Sequence, residues 1–264
     1  MNPYSRKRWG QHFLSDRNLL LKLVRIIDPE PGDSIIEIGP GEGALTQLLV
    51  PKVKELIGVE IDGNLFDTLE SNPAFARCTF LNRDFLEIDL SSLSLTGDRL
   101  RVVGNIPYNI TSPVIFRLLE EPSRWWDIHL MVQKEVADRL TATPGGKVYG
   151  RLTVMVQAYM NVRQVLNVPP EVFIPKPRVR SAVVALKSHK RFDLDDHTAS
   201  VLEETVRKAF SQRRKMLKNS LREILSDLKG DVDLDLSMRP EMLTVGDFID
   251  LARRFSEARL QNMQ

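Results

Sequence analysis

At 264 residues with 42% hydrophobic content, the chain is long enough to bury a full core, and its length suits one large domain beside a smaller one. A formal net charge of +2 excludes a uniformly basic or acidic protein, so any polyanion binding depends on where the cations cluster. Cys78 is the single cysteine, which excludes an intrachain disulfide, and His12, His129, His189 and His197 are too scattered for zinc-ligand spacing. A metal-free, cytoplasmic chain is the expectation.

Arg6, Lys7 and Arg8 precede an apolar stretch at 19–27, but Lys22 and Arg25 interrupt it and no small-residue cleavage site follows. The spacing predicts an amphipathic helix with Leu19, Leu20, Leu23, Val24 and Ile27 on one face. No uninterrupted apolar run is long enough to cross a membrane. Further on, runs of strand length at 34–39, 55–62, 79–84, 100–106 and 128–133 alternate with helical patterns at 44–50, 64–70, 112–120 and 134–140. This alternation predicts an open α/β sheet of parallel strands with right-handed crossovers and helices on both faces. Ligands of such sheets gather at the carboxyl ends of the strands, and the polar motifs fall there.

The first of these strands ends in Gly39-Pro40-Gly41-Glu42-Gly43-Ala44, where glycines let the backbone turn sharply and approach a ligand. The second ends in Glu60 and Ile61, about twenty residues on, where a carboxylate can accept from both hydroxyls of a ribose. Gly39, Gly41 and Ala44 also satisfy the G-x-G-x-x-A pattern, so these two features fit a nicotinamide dehydrogenase equally well. Asp84 ends the third strand, where it can accept from an adenine amine while Phe85 covers the ring; the alternative is a capping acid. No phosphate-binding P-loop is present, because Gly146-Lys147 is followed by Val148.

The fourth strand delivers Asn105-Ile106-Pro107-Tyr108. The Asn105 carboxamide oxygen and the Ile106 carbonyl can accept both hydrogens of an exocyclic amine, Pro107 stiffens the turn, and Tyr108 offers a stacking face. A run at 181–187 is the last strand predicted, and the pattern becomes helical from Asp193. The expected division is therefore a catalytic domain at 1–191 and a small all-helical domain at 192–264. Within the latter, Arg207, Lys208, Arg213, Arg214, Lys215, Lys218 and Arg222 fall together with no acidic residue between Arg207 and Arg222. Such a cluster is suited to RNA phosphates.

Together the motifs resemble the KsgA family of ribosomal RNA adenine dimethyltransferases. The resemblance runs from Gly10-Gln11-His12-Phe13-Leu14 through the glycine turn, Gly58-Val59-Glu60-Ile61-Asp62 and Asn105-Ile106-Pro107-Tyr108. It continues through 144–152, Val172-Phe173-Ile174-Pro175-Lys176-Pro177 and Phe210-Ser211-Gln212-Arg213-Arg214-Lys215. It implies a Rossmann-like methyltransferase that uses S-adenosylmethionine to dimethylate N6 of two adjacent adenosines near the 3′ end of 16S ribosomal RNA, in an immature 30S subunit; a monomer is the default expectation. His12, Leu14, Gly39, Glu60, Asp84 and Asn105 fall on the family's cofactor positions. Gly41, Ile61 and Phe85 complete the set from the glycine turn and the strand ends. Asn105 to Tyr108 fall on the target-base motif, with Phe173 expected to stack on the base opposite Tyr108. His12 stands where many members carry Asn, and Ile106 where many carry Leu. A resistance-type methyltransferase of large-subunit RNA shares the Asn-Ile-Pro-Tyr motif, and a binding protein that kept the fold is a further alternative; intact Glu60, Asp84 and Asn105 argue against the latter.

Overall fold

In the computed structural model, which describes residues 11–189, 192–226 and 234–262, a short strand β1 (Phe13–Leu14) leads into helix α1 (Arg17–Ile27). Asp16 starts this helix by accepting the Leu19 amide at 2.8 Å, one of the donors a helix start leaves unpaired. Leu20, Leu23, Val24 and Ile27 are buried along one face as their spacing predicts, while Leu19 is half-buried.

The alternation then follows as β2 (Asp33–Ile38), α2 (Thr46–Leu49), β3 (Glu55–Val59), α3 (Gly63–Glu70), β4 (Cys78–Leu81) and β5 (Arg99–Asn105). After these come α4 (Thr111–Leu118), β6 (Asp127–Gln133), α5 (Lys134–Leu140), α6 (Arg151–Tyr159), β7 (Met160–Val168), β8 (Phe173–Ile174) and β9 (Ser181–Ser188). Seven strands form one sheet in the order β4-β3-β2-β5-β6-β9-β7, with helices on both sides. All six residues of β2 are buried, as a central parallel strand covered on both faces requires. The chain builds outward from β2 to β3 and β4, then crosses to β5 and β6, so the order reverses between β2 and β5. A crevice opens at such a reversal, outside the carboxyl ends of the two strands.

Two features differ from expectation. The pairs β2·β3, β2·β5, β3·β4 and β5·β6 are parallel, but β9 lies antiparallel to β6, with Gln133 opposite Ser181. A run of buried apolar residues does not encode strand direction, so the sequence pattern cannot distinguish the two. The second is β7, which the sequence pattern misses. It is an edge strand in which Asn161, Arg163, Gln164 and Asn167 break the apolar pattern, a composition that protects an edge from further pairing.

At the amino ends of the strands, Arg101 of β5 is almost fully buried. It donates to Asp33 Oδ2 at 2.8 Å, to both oxygens of Asp127 at 2.7 and 2.8 Å, to the Asp28 carbonyl at 2.9 Å and to the Ile27 carbonyl. One guanidinium thus joins β5 to β2, β6 and the end of α1.

The chain divides into two compact units, Met1–Ala137 with Val162–Ser188, and Asp138–Asn161 with His189–Gln264. The second unit contains α6, α7 (Asp196–Ser211), α8 (Leu217–Ser220), α9 (Arg222–Leu225) and α10 (Val245–Asn262). Helix α7 packs along α10, burying Leu202, Val206 and Ala209 together with Phe248, Leu251 and Phe255. A division at residue 191 alone leaves 138–161 with the wrong partner. Tyr149 is fully buried with its ring 6.2 Å from Phe210, which lies 5.7 Å from Phe248, and Arg151 pairs with Glu203 at 3.0 Å. The helical core is completed by a segment from earlier in the chain.

Candidate active site

The crevice is built from three strand ends and the strap formed by β1. Beyond β2, Gly39 and Gly41 adopt φ of 67° and 61°, the left-handed region that glycine enters without strain. A side chain at Gly41 would also meet the Phe13 ring at 3.0 Å. The Gly39 amide donates to the Val59 carbonyl at 2.9 Å, tying the turn to the end of β3. Immediately after β3, Glu60 is buried; its Oε2 accepts the Gly41 amide at 3.0 Å, and its Oε1 accepts the Asp62 amide at 3.0 Å and Gln11 Nε2 at 3.4 Å. Burial raises the Glu60 pKa above the ordinary carboxylate value against the pull of these amides. Ile61 beside it is half-buried.

Asp84 lies beyond β4, half-buried, and accepts the Leu86 amide at 2.9 Å, so the capping arrangement is observed. Phe85 points into the core at 4% exposure. At the end of β5, Asn105 is half-buried and donates from Nδ2 to the His12 carbonyl at 2.7 Å, which leaves its carboxamide oxygen as the available acceptor. The Ile106 amide donates to the Met131 carbonyl at 3.2 Å, fixing the backbone just after Asn105. The Tyr108 hydroxyl lies 2.7 Å from Ser181 Oγ, and its ring centroid is 5.5 Å from that of His12.

The strap is held by residues 172–175, far from it in sequence. Phe13 pairs with Ile174 and Leu14 with Phe173 in an antiparallel ladder, and the Ser15 amide donates to the Val172 carbonyl at 3.0 Å. His12 Nδ1 donates to the Pro175 carbonyl at 2.6 Å. His12, Gly39, Gly41, Asn105, Ile106, Pro107 and Tyr108 consequently line one open cleft of about 390 Å³ together with Gln11 and Phe13. Phe173 is not brought into it. At 2% exposure it packs with Leu23, Met131, Val168 and Val183, so its ring supports the strap from the core and presents no face for stacking.

Gln11, Glu37 and Ser181 are polar groups here that sequence reasoning did not single out as site residues. Gln11 lies within the Gly10–Leu14 stretch that carries the family resemblance and Glu37 stands two residues before Gly39, whereas Ser181, a lone serine opening a strand, carries no signal. Glu37 is buried, its Oε2 accepting Thr46 Oγ1 at 2.7 Å, and burial with the nearby Glu60 charge pushes its pKa to about 7 despite that bond. A folded value above the ordinary 4.5 means that the native chain retains a proton the unfolded chain has released. This contribution to stability is present in full below about pH 4.5 and is lost as pH rises to about 7. Glu37→Gln keeps an acceptor for Thr46 and removes the titration. In urea unfolding it is expected to narrow the stability difference between pH 5 and pH 8 by up to about 3 kcal/mol. An unchanged pH slope would show that Glu37 ionises without penalty.

In the second unit, Arg207, Arg214, Lys215, Lys218 and Arg222 are exposed. Lys208 is not a free cation of that cluster, since its ammonium lies 3.3 Å from Glu204 and 2.8 Å from Glu223; Arg213 donates to the Gly146 carbonyl at 3.3 Å, which occupies one donor without neutralising its charge. Among the described residues there is no group of three metal-ligating side chains, and no helix is long and apolar enough to cross a membrane.

A sheet of this order, with an antiparallel strand beside β6 and the amide of Asn105 presented at the point where the order reverses, defines the class of Rossmann-like methyltransferases. Comparison narrows the class. The model of the ribosomal RNA adenine dimethylase family matches residues 3–256, and the chain belongs to that family. It is 43% identical to a ribosomal RNA small subunit methyltransferase A from Leptothrix cholodnii, over 95% of this chain and 92% of that one. Among solved structures, a dimethyladenosine transferase from Plasmodium falciparum superposes with a TM-score of 0.80 at 25% identity, covering 94% of this chain and 98% of that one. The 23S rRNA methyltransferase ErmE gives 0.63 at 25% identity, covering 91% and 99%.

Proposed function

We propose that this chain transfers methyl groups from S-adenosylmethionine to N6 of two adjacent adenosines near the 3′ end of 16S ribosomal RNA, two to each, in an immature small subunit. The observation that carries this reading is the identity to a small-subunit methyltransferase along nearly the whole chain. Asn105, which lines the cleft with Gly39 and Gly41 and whose carboxamide oxygen takes no part in its bond to the His12 carbonyl, supplies the chemistry. The cytoplasm is the expected compartment, and a monomer the expected form.

The residues fit such a cofactor. Glu60 spends its bonds on backbone amides and one side-chain amide, and each carboxylate oxygen has more than one acceptor site, so lone pairs remain for ribose hydroxyls. Asp84 uses one oxygen in its cap and keeps the other for an adenine amine, with Ile61 and Phe85 beside these two acids. His12, Leu14, Gly39 and Gly41 bring backbone and apolar surface against the remainder. When bound, the cofactor would supply an electrophilic methyl on a sulfonium, whose sulfur leaves as a neutral thioether when the methyl–sulfur bond breaks.

The harder task falls to the protein, because the adenine amine lone pair is delocalised into the ring. Asn105 Oδ1 and the Ile106 carbonyl accept the two amine hydrogens, which favours a pyramidal nitrogen with its lone pair turned toward the methyl. Tyr108 stacks on the flipped base, worth about 1–3 kcal/mol. Alignment supplies most of the rate, since well-oriented reactants gain about 7–11 kcal/mol. The displaced proton leaves to water. In this reading the first unit carries the reaction, and the cations of the second, chiefly Arg207, Arg214, Lys215, Lys218 and Arg222, hold phosphates.

A large-subunit target is the second reading, favoured by the likeness to the 23S enzyme. Incubating the chain with labelled S-adenosylmethionine and separately with unmethylated small subunits, large subunits and naked RNAs, then digesting to nucleosides, separates the two. Dimethyladenosine in small-subunit RNA is expected. Label confined to large-subunit RNA would replace this assignment with the second reading.

A further inference from the structure

We propose that Ser181 is a positioning residue for methyl transfer: its hydroxyl anchors the phenol of Tyr108 and so sets the ring as a fixed face for the target adenine. The inference rests on the reading of Tyr108 as the base platform. Tyr108 lies in the turn beyond β5, outside the sheet ladder, and is only half-buried. Backbone hydrogen bonding in the sheet therefore does not hold its side chain, and a ring on two rotatable bonds is free to swing.

Ser181 is placed differently. It opens β9, is 1% exposed, and sits in register opposite Gln133 in the antiparallel ladder with β6. A hydroxyl so deeply buried needs a partner, and Tyr108 provides it at 2.7 Å. The bond spans from the turn after β5, past the end of β6, to β9, so an aromatic outside the ladder is tied to a buried residue within it. Fixing the phenol oxygen fixes the long axis of the ring. Rotation about that axis is then restrained by the neighbouring His12 ring, 5.5 Å away and inclined by 31°. Two contacts define the plane before any base arrives, which is what preorganised stacking requires. Burial raises the phenol pKa, so the group stays protonated and the bond stays intact at neutral pH.

The test removes the bond from each side and then from both. Ser181→Ala and Tyr108→Phe are each expected to lower kcat for methyl transfer to small subunits by roughly three- to tenfold, the size of one lost hydrogen bond. KM for the subunit should stay within about twofold, because phosphate contacts lie elsewhere. The double variant should be no slower than either single variant, a coupling that general loosening of the fold would not produce. If Ser181→Ala unfolds, Tyr108→Phe still reports the same bond from the exposed side. Tyr108→Ala separates the two readings. A severe loss in that variant alongside full kcat in Ser181→Ala and Tyr108→Phe overturns the inference and leaves the platform standing. Full activity in Tyr108→Ala overturns the platform itself, and multiplying losses in the double variant overturn the coupling.

Discussion

Asn105→Ala is expected to reduce the rate of methyl transfer by about 10²–10³-fold, the range seen when one preorganised polar group is removed from a developing charge. On the proposed reading, affinity for the RNA should hardly change, because the cations proposed to hold phosphates belong to the second unit. The expectation follows from the orientation of the amide. Its nitrogen donates to the His12 carbonyl at 2.7 Å, which leaves the oxygen as the acceptor of a side chain that lines the cleft. Asn105→Asp tests that orientation. The carboxylate supplies oxygen acceptors but no donor, and one of its oxygens would face the His12 carbonyl across the same short distance, so a comparable loss is expected. Single-turnover transfer and filter binding on the same preparations give both quantities. Parallel loss of rate and RNA affinity would mean that Asn105 holds the RNA and does not act on the amine.

Much of this site can be read from local sequence because its parts are strand ends. Glu60 and Asp84 terminate apolar runs, and Gly39 and Gly41 need positive φ values that few other residues tolerate. Each signal is local. The relations between distant segments are harder to read. Gln11 reaches Glu60 and His12 reaches Asn105 only because β1 pairs with β8, a two-residue ladder too short to leave a periodic pattern. Phe173 illustrates the ambiguity of an aromatic beside a motif: the same position on β8 serves equally for stacking or for packing, and here the apolar neighbours Leu23 and Met131 claim it.

Charge shows the same limit. Seven cations within sixteen positions read as one basic surface, but α7 carries Glu204 one turn before Lys208, and Glu223 adds a second carboxylate. Sequence distance hides the second pairing. The boundary at 191 misplaced 138–161 for a related reason: the composition change near that point is real, yet Tyr149 completes a core whose other members, Phe210 and Phe248, come far later.

Arg101→Met is expected to destabilise the first unit by about 3–5 kcal/mol at neutral pH, more than any other single change considered for its fold. The loss arises from what the substitution leaves behind. Asp33 is fully buried, and Asp127 is largely so. Although burial opposes their ionisation, both are held below the ordinary carboxylate range: Asp33 by the Glu30 amide, Arg101 and Arg99, and Asp127 by His129 and Arg101. Methionine restores the volume of the side-chain stem but removes the guanidinium shared by Asp33 and Asp127, leaves Asp33 to Arg99, and strands the Ile27 and Asp28 carbonyls that close α1. The pH dependence distinguishes this account from simple loss of packing. In the parent chain the lowered pKa values contribute stability that is present above the unfolded value of about 4 and is lost as pH falls through the folded values. In the variant, Asp33 keeps Arg99 and Asp127 keeps His129 but both lose the shared guanidinium, so burial raises them relative to the parent and protonation relieves part of the penalty. The gap between parent and variant should therefore be widest at pH 7 and close toward pH 4 in urea unfolding followed by circular dichroism. A gap independent of pH would assign the loss to packing of the stem, and no gap at all would mean that desolvation cancels the whole network.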